Sequence, residues 1–336
     1  MAATDTTVDA SDARTIIIQQ QPRGSWFPWV LALLLLMALG LSLLINMAQL
    51  GASLVEAKEG PQETFHSGSK TASRKIARIA LDFTIMPPYT DRLMQQLEQV
   101  RTSDDVAGLL LVIDSPGGLV SDSHRIYDKL REIQQTKPVY VAMQGICASG
   151  GYYIAMGAGA DGLVFAEPTT WTGSIGVIIP RYDASPLGEK VGVRADSIVT
   201  GPFKDTLNPL KELTEKEREL WQAIADEALD RFVHVIDEGR GTLDEAAVRA
   251  LATGQVYTAD QALQHQLIDK IGYESDALDA LQEKLGGGAF QVVKYEFDPT
   301  LAEALLGPQA QVPAVDPLSR ILGSNTPRAM YLFGWQ

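Results

Sequence analysis

Residues 145–153 read GICASGGYY, a single hydroxyl set among small side chains. Ala148, Gly150 and Gly151 crowd around Ser149 just before a segment that reads as a helix. Small neighbours let a backbone turn tightly, and they also let a carbonyl approach a hydroxyl. In the second case the chemistry is acyl transfer. Gly150 and Gly151 then present backbone N–H groups to a developing oxyanion, and the helix they open adds its positive end. A second donor should come from another glycine turn, and SPGG (Ser115 to Gly118) closes an apolar strand at a suitable place, the carboxyl edge of a parallel sheet. Both turns could equally be close-packing joints, and spacing alone leaves that alternative open.

A nucleophilic serine needs a base. There is no GxSxG elbow, HExxH, EF-hand loop or Walker A lysine. His66, His124, His234 and His265 lack metal-ligand spacing and read as linker, helix-surface or rim residues, so no metal and no cofactor is expected. Lysine can act as the base where burial and the lack of a carboxylate partner lower it from ~10.4 toward ~8, a cost of about 3 kcal/mol. TGPFKDTLNP (200–209) offers that lysine, because Lys204 follows Gly201, Pro202 and Phe203 while most others lie in charged helices. Asp205 adjoins it, but neighbouring side chains can diverge. The one cysteine, Cys147, excludes an intramolecular disulfide and any CxxC motif, and reads as a small buried hydrophobe.

The elements that must hold these residues alternate. Strands are expected over 75–85, 107–118 and 138–145, with shorter ones in 161–168 and 172–180. Helices are expected over 90–102, with Thr90 as N-cap, and over 124–134, 150–160, 210–241, 244–254 and 258–272. In the long helix Leu213, Leu220, Ile224, Phe232 and Val235 or Ile236 are expected inside. Strand–helix–strand rhythm with apolar strands predicts an α/β fold on a parallel sheet covered by helices.

Outside that body the chain changes character. Residues 1–25 are polar and expected to be disordered. No charged residue occurs between Arg23 and Glu56, and Trp29 to Ile45 is an unbroken apolar run around Gly40 and Ser42. A helix over 26–48 reaches the ~30 Å of a bilayer core, with Trp26 and Trp29 suited to the interface. A polar start containing Asp5, Asp9 and Asp12 does not fit a cleaved signal peptide. Residues 49–74 read as a linker, 75–295 as the folded domain and 296–336 as a tail whose apolar end, RAMYLFGWQ, must dock somewhere. The net charge of −14 and the lack of a Lys/Arg cluster exclude nucleic acid as a partner.

From Lys75 to Gly272 the sequence resembles the signal peptide peptidase A family, the membrane-anchored serine–lysine peptidases of class S49. The resemblance is carried by IDSPGG (113–118), CASGGYY (147–153), TGSIGV (172–177), GPFKD (201–205) and GQVYTADQALQHQLIDKIG (254–272). It implies a crotonase- or ClpP-like spiral of ββα units behind one N-terminal transmembrane helix. It implies Ser149 as nucleophile, Lys204 as general base, Ser174 orienting the lysine, and an oxyanion hole from Gly150 and the SPGG turn, Gly118 rather than Gly117. Thr200 departs mildly from the serine that many relatives carry there. The chain's length matches the short form, which implies a ring-shaped homo-octamer on the membrane, with the catalytic domain on the extracytoplasmic side and site walls shared between protomers. Remnant signal peptides and other unfolded apolar peptides would be the substrates, and the tail itself could dock on neighbours or be processed. A protease cutting one specific membrane protein, an acyl-CoA enzyme of crotonase type and a non-catalytic scaffold are the alternatives.

Overall fold

The computed structural model of the chain describes residues 26–55, 60–297 and 329–334. Segment 1–25 and most of the 296–336 tail lie outside the described residues. The chain divides into two compact units, Met1–Ala57 and Lys58–Gln336.

Among the described residues the first unit is one helix, α1 (Phe27–Val55). Its stretch Phe27–Met47 is 21 residues long, roughly 32 Å at 1.5 Å per residue, and is therefore long and apolar enough to cross a bilayer. Leucines face all sides, and none of this stretch is buried against protein.

The second unit is built on a sheet in the order β1-β10-β2-β3-β5-β6-β9. Its central strands are β2 (Lys75–Leu81), β3 (Val106–Ser115), β5 (Val139–Ala148) and β6 (Val164–Ala166), all parallel to their neighbours. Strand β9 (Lys270–Ile271) extends the parallel run at one end and β10 (Gln291–Glu296) at the other. The polar strand β1 (Gln62–Gly68) closes the β10 edge in antiparallel fashion. This corrects the reading of 49–74 as linker throughout. An edge strand needs only one paired side, so QETFHSG carries no apolar alternation to announce it.

Alternation along the strands splits the core into two faces. Leu109, Leu111 and Ile113 of β3, with Val139, Val141 and Met143 of β5, point one way. There α2 (Tyr89–Thr102), α3 (Val120–Gln134), α4 (Gly150–Ala155) and the second half of α6 (Glu215–Gly239) cover them. Leu110, Val112, Tyr140 and Ala142 point the other way, onto Ala277 and Leu281 of α9 (Glu274–Lys284). Period-2 side chains on a sheet buried on both sides produce the near-continuous apolar runs seen in the sequence.

Three local readings change. Helix α2 starts at Tyr89 with Pro88 at the capping position, so Thr90 lies inside it and its buried hydroxyl donates to Asp122 at 3.2 Å. Leu220 and Ile224 of α6 are 37% and 40% exposed, and the helix joins the core from Leu229 onward. The expected strand 172–180 is reduced to β7 (Trp171–Gly173).

The architecture converges at the carboxyl end of β5. Val141–Met143 pair with β6, but Ile146–Ala148 pair with β7 instead. The strand thus leaves one layer for another, and β8 (Val256–Thr258) continues that second layer antiparallel to β7. Beside this point a separate two-stranded sheet joins β4 (Gly117–Leu119) to β11 (Met330–Leu332). The apolar terminus expected to dock does so here. Short helices α5 (Ser185–Val191), α7 (Glu245–Leu251) and α8 (Ala259–Gln264) fill the remaining connections.

Candidate active site

Ser149 stands between the end of β5 and the start of α4. Its backbone has φ 54 and ψ −113, a left-handed conformation that non-glycine residues rarely hold. Two hydrogen bonds keep it there: its N–H donates to Gly173 O at 2.7 Å, and its carbonyl accepts from Tyr153 N at 2.9 Å. The residue is fully buried, and its Oγ has no hydrogen-bond partner among the described residues. A buried hydroxyl normally finds a partner, so this one is set apart from structural serines. Ser123 shows the contrast, donating to Leu119 O at 2.9 Å.

Gly117 and Gly118 approach from the opposite side. Ser115 shapes this turn by donating to Phe83 O at 2.6 Å while accepting from Gly117 N at 3.2 Å. Ile85 pairs with one edge of β4 through Ile85 N to Gly117 O and Leu119 N to Ile85 O, both 2.8 Å. Tyr331 lies opposite Gly118 across the other edge. Phe333 N donates to Pro116 O at 2.8 Å, and Val120 N donates to Ala329 O at 3.2 Å. In an antiparallel ladder bonded pairs recur every second residue, so Tyr331 and Gly118 exchange N–H···O=C bonds.

Glycine is required here by contact. A methyl group on Gly150 would lie 3.1 Å from both Gly118 N and Tyr331 O and 2.6 Å from Ser123 Oγ. Gly117 has φ 100, and a methyl group there would collide with Tyr331 O and lie 2.7 Å from Gly150 N. Gly118 N, Gly150 N and the Tyr331 carbonyl therefore surround one small space, next to Ser149.

Ser174 is the second serine with a left-handed backbone, φ 50, and it is 5% exposed. Its N–H donates to Gln255 O at 2.8 Å and its Oγ to Gly254 O at 3.3 Å. Lys204 lies in the turn region 201–207, exposed, with its side chain free of hydrogen bonds and ion pairs among the described residues. Asp205 turns away from it and accepts from Asn208 Nδ2 at 3.1 Å. Ser149 and the glycines are thus brought together. Lys204 bonds to neither Ser149 nor Ser174.

Cys147 is buried, and desolvation pushes its thiol well up, away from the thiolate form. His124 is half-buried and its Nδ1 lies 2.8 Å from Tyr153 Oη, so it belongs to an aromatic cluster instead of the surface. Reasoning on the sequence did not find Tyr331. Its signal was the apolar terminus, whose docking place only the fold reveals.

A sequence model described as peptidase family S49 matches residues 131–286, and one described as Clp protease matches 69–171. The second match accounts for the parallel-rich α/β body, which is Clp-protease-like. The chain is 33% identical over 301 residues to an Enterococcus faecium protein named "Putative signal peptide peptidase SppA", covering 83% of this chain and 86% of that one. It is 30% identical over 265 residues to "Probable protease SohB" of Haemophilus influenzae, covering 77% and 71%. It is 32% identical over 195 residues to "Serine protease SPPA, chloroplastic" of Arabidopsis thaliana, covering 58% of this chain and 28% of that one.

Proposed function

The chain belongs to peptidase family S49, and from that premise we propose that it is a membrane-anchored serine endopeptidase acting through Ser149 and Lys204. One observation supports this most: the peptide carbonyl of Tyr331, paired with Gly118, lies in the small space that Gly118 N and Gly150 N border, next to a serine whose hydroxyl has no partner among the described residues.

In this reading Ser149 Oγ attacks the scissile carbonyl carbon and its proton passes to the Lys204 amine. The Gly118 and Gly150 N–H groups hold the oxyanion. Collapse breaks the C–N bond, and the lysine returns the proton to the departing amine. Water then hydrolyses the ester on Ser149. Ser174 orients the lysine when it arrives. A strained backbone at Ser149 keeps the hydroxyl aimed along one direction instead of letting it find a structural partner.

No described group bonds the Ser149 hydroxyl. Lys204 is exposed and unpaired among the described residues, as expected of a group whose counterpart lies on another molecule. The proposal therefore includes assembly into a homo-oligomer, an octameric ring in line with the sequence reading, in which Lys204 of one copy serves Ser149 of the next. The substrates are remnant signal peptides and other unfolded apolar peptides. The catalytic body is placed on the extracytoplasmic face, as the family resemblance implies.

The direct test is hydrolysis of casein and a synthetic signal peptide by detergent-solubilised full-length protein, beside Ser149→Ala and Lys204→Ala. Both variants should lose about 10³-fold or more in kcat/KM. Normal turnover by Lys204→Ala would remove the lysine from the reaction.

A further inference from the structure

The carboxyl end of α6 carries an imidazole and two carboxylates on one face. His234, Asp237 and Glu238 stand three and four residues apart, the spacing at which helical side chains meet. The chain turns through 240–244, and α7 opens with Glu245. One ligand-capable atom from each of His234, Asp237 and Glu245 lies within 4.8 Å of the other two. His234 Nδ1 is 3.7 Å from Glu245 Oε1. Ligands placed tetrahedrally at about 2.0–2.2 Å from a divalent ion stand about 3.4 Å from one another. These side chains therefore need to close by only about 1.4 Å at most to share one ion.

The residues around this group hold it in place. Glu238 faces the other ring nitrogen, its Oε1 3.4 Å from His234 Nε2. The second oxygen of Glu238 accepts from the Tyr127 hydroxyl at 3.2 Å. A carboxylate on the far nitrogen of a metal-binding imidazole fixes its tautomer, so that Nε2 keeps the proton and Nδ1 turns its lone pair to the ion. The turn between the helices is also fixed. Arg240 donates to both oxygens of Asp269, at 2.8 and 2.7 Å, and Asp244 caps α7 by accepting from Ala247 N at 2.8 Å. Arg249 is engaged with Asp230 at 2.9 Å. No lysine or arginine pairs with Asp237, Glu238 or Glu245 among the described residues. Three carboxylates around one imidazole thus concentrate negative charge that a bound cation would balance.

We infer that His234, Asp237 and Glu245 bind one divalent transition-metal ion of the zinc class, with Glu238 positioning the imidazole and water completing the coordination. One imidazole nitrogen and two carboxylates suit zinc. Calcium takes about six to eight oxygen ligands, more than this set supplies. The ion ties the end of α6 to the start of α7 and acts on stability, apart from the chemistry at Ser149. Spacing among the four histidines gives no sign of such a site, because two of its three ligands are carboxylates and one of those lies on the next helix.

The test is calorimetric titration of detergent-solubilised full-length protein, stripped of metal by a chelator, with zinc chloride. One ion should bind per chain with a Kd in the micromolar range, and excess calcium should not displace it. The side chains of His234 and Glu245 are both 57% exposed, so His234→Ala and Glu245→Gln keep the fold. Each should weaken zinc binding about a hundredfold, and Glu238→Gln about tenfold. Zinc at about a hundred times its Kd should raise the unfolding midpoint of the wild-type protein by about 5 °C and leave that of His234→Ala unmoved. Zinc affinity unchanged in His234→Ala and Glu245→Gln overturns the site, as does the absence of saturable zinc binding. Displacement of zinc by calcium overturns the assignment to the zinc class.

Discussion

The Ser149 N–H donates to the carbonyl oxygen of Gly173 at 2.7 Å, joining the residue after β5 to the last residue of β7. This bond ties together the two serines with left-handed backbones, since Ser174 follows Gly173 directly. One crossing of β5 from one sheet layer to the next therefore positions both hydroxyls. The strain at Ser149 is offset by the surrounding ladder, and the structure retains it next to a hydroxyl without a partner.

That strain can be measured apart from catalysis. Ser149→Gly should raise stability by about 1 kcal/mol, because glycine tolerates φ 54 and no hydrogen bond of the side chain is lost. Ser149→Ala keeps the strain and should leave thermal unfolding unchanged. Both variants should be inactive. Calorimetry beside a casein assay checks this, and a Ser149→Gly variant less stable than wild type would contradict it.

Sharing of sites between protomers has a sharp signature. Ser149→Ala and Lys204→Ala should each be inactive alone, yet regain activity when co-expressed and co-purified. If each site takes its serine and lysine from different copies, random mixing in equal amounts gives about a quarter of wild-type activity. Activity no higher than the separate variants would place both residues of a site in one chain.

Gly118 and Gly150 should separate by what a methyl group meets. Gly118→Ala drives a carbon into the Ile85 backbone, which cannot move without breaking β4, and should cost about 3 kcal/mol. Gly150→Ala meets the Ser123 hydroxyl, which can rotate, so the protein should fold. Its methyl group nevertheless crowds the space between Gly118 N and the bound carbonyl, and kcat should fall about a hundredfold. Circular dichroism with peptide kinetics distinguishes the two.

Acid stability should depend on the start of α6, the helix that supplies Phe232 and Ala228. Glu217 accepts from Lys211 Nζ at 2.6 Å and completes a capping box with Thr214. The Lys211 hydrogen bond, then the Thr214 backbone, lower its carboxyl to about 2. A carboxyl depressed in the folded state stabilises above its ordinary value, near 4.5, and that contribution fades as pH falls toward 2. Glu217→Gln should unfold at lower temperature at pH 6 and show a shallower decline between pH 4.5 and 2.5. Parallel slopes for the two proteins would rule this out.

The amino-acid pattern alone specifies the apolar helix, the buried parallel strands and the small-residue setting of Ser149. These are local properties: an all-round apolar run, continuous Val, Ile and Leu stretches, and glycines where contact forbids a side chain. It missed β1, because a half-solvated edge strand has no alternation to detect. It misjudged the first half of α6, because helical spacing does not say what lies opposite, and Leu220 and Ile224 stay exposed. Three-dimensional packing alone leaves the Ser149 hydroxyl without a hydrogen-bond partner among the described residues, sets Tyr331 across from Gly118 and places the Tyr153 ring edge-on against Phe232. Those relations join residues up to about two hundred positions apart, such as Gly118 and Tyr331. They follow from strand register and layer crossing, which no local pattern of side chains encodes.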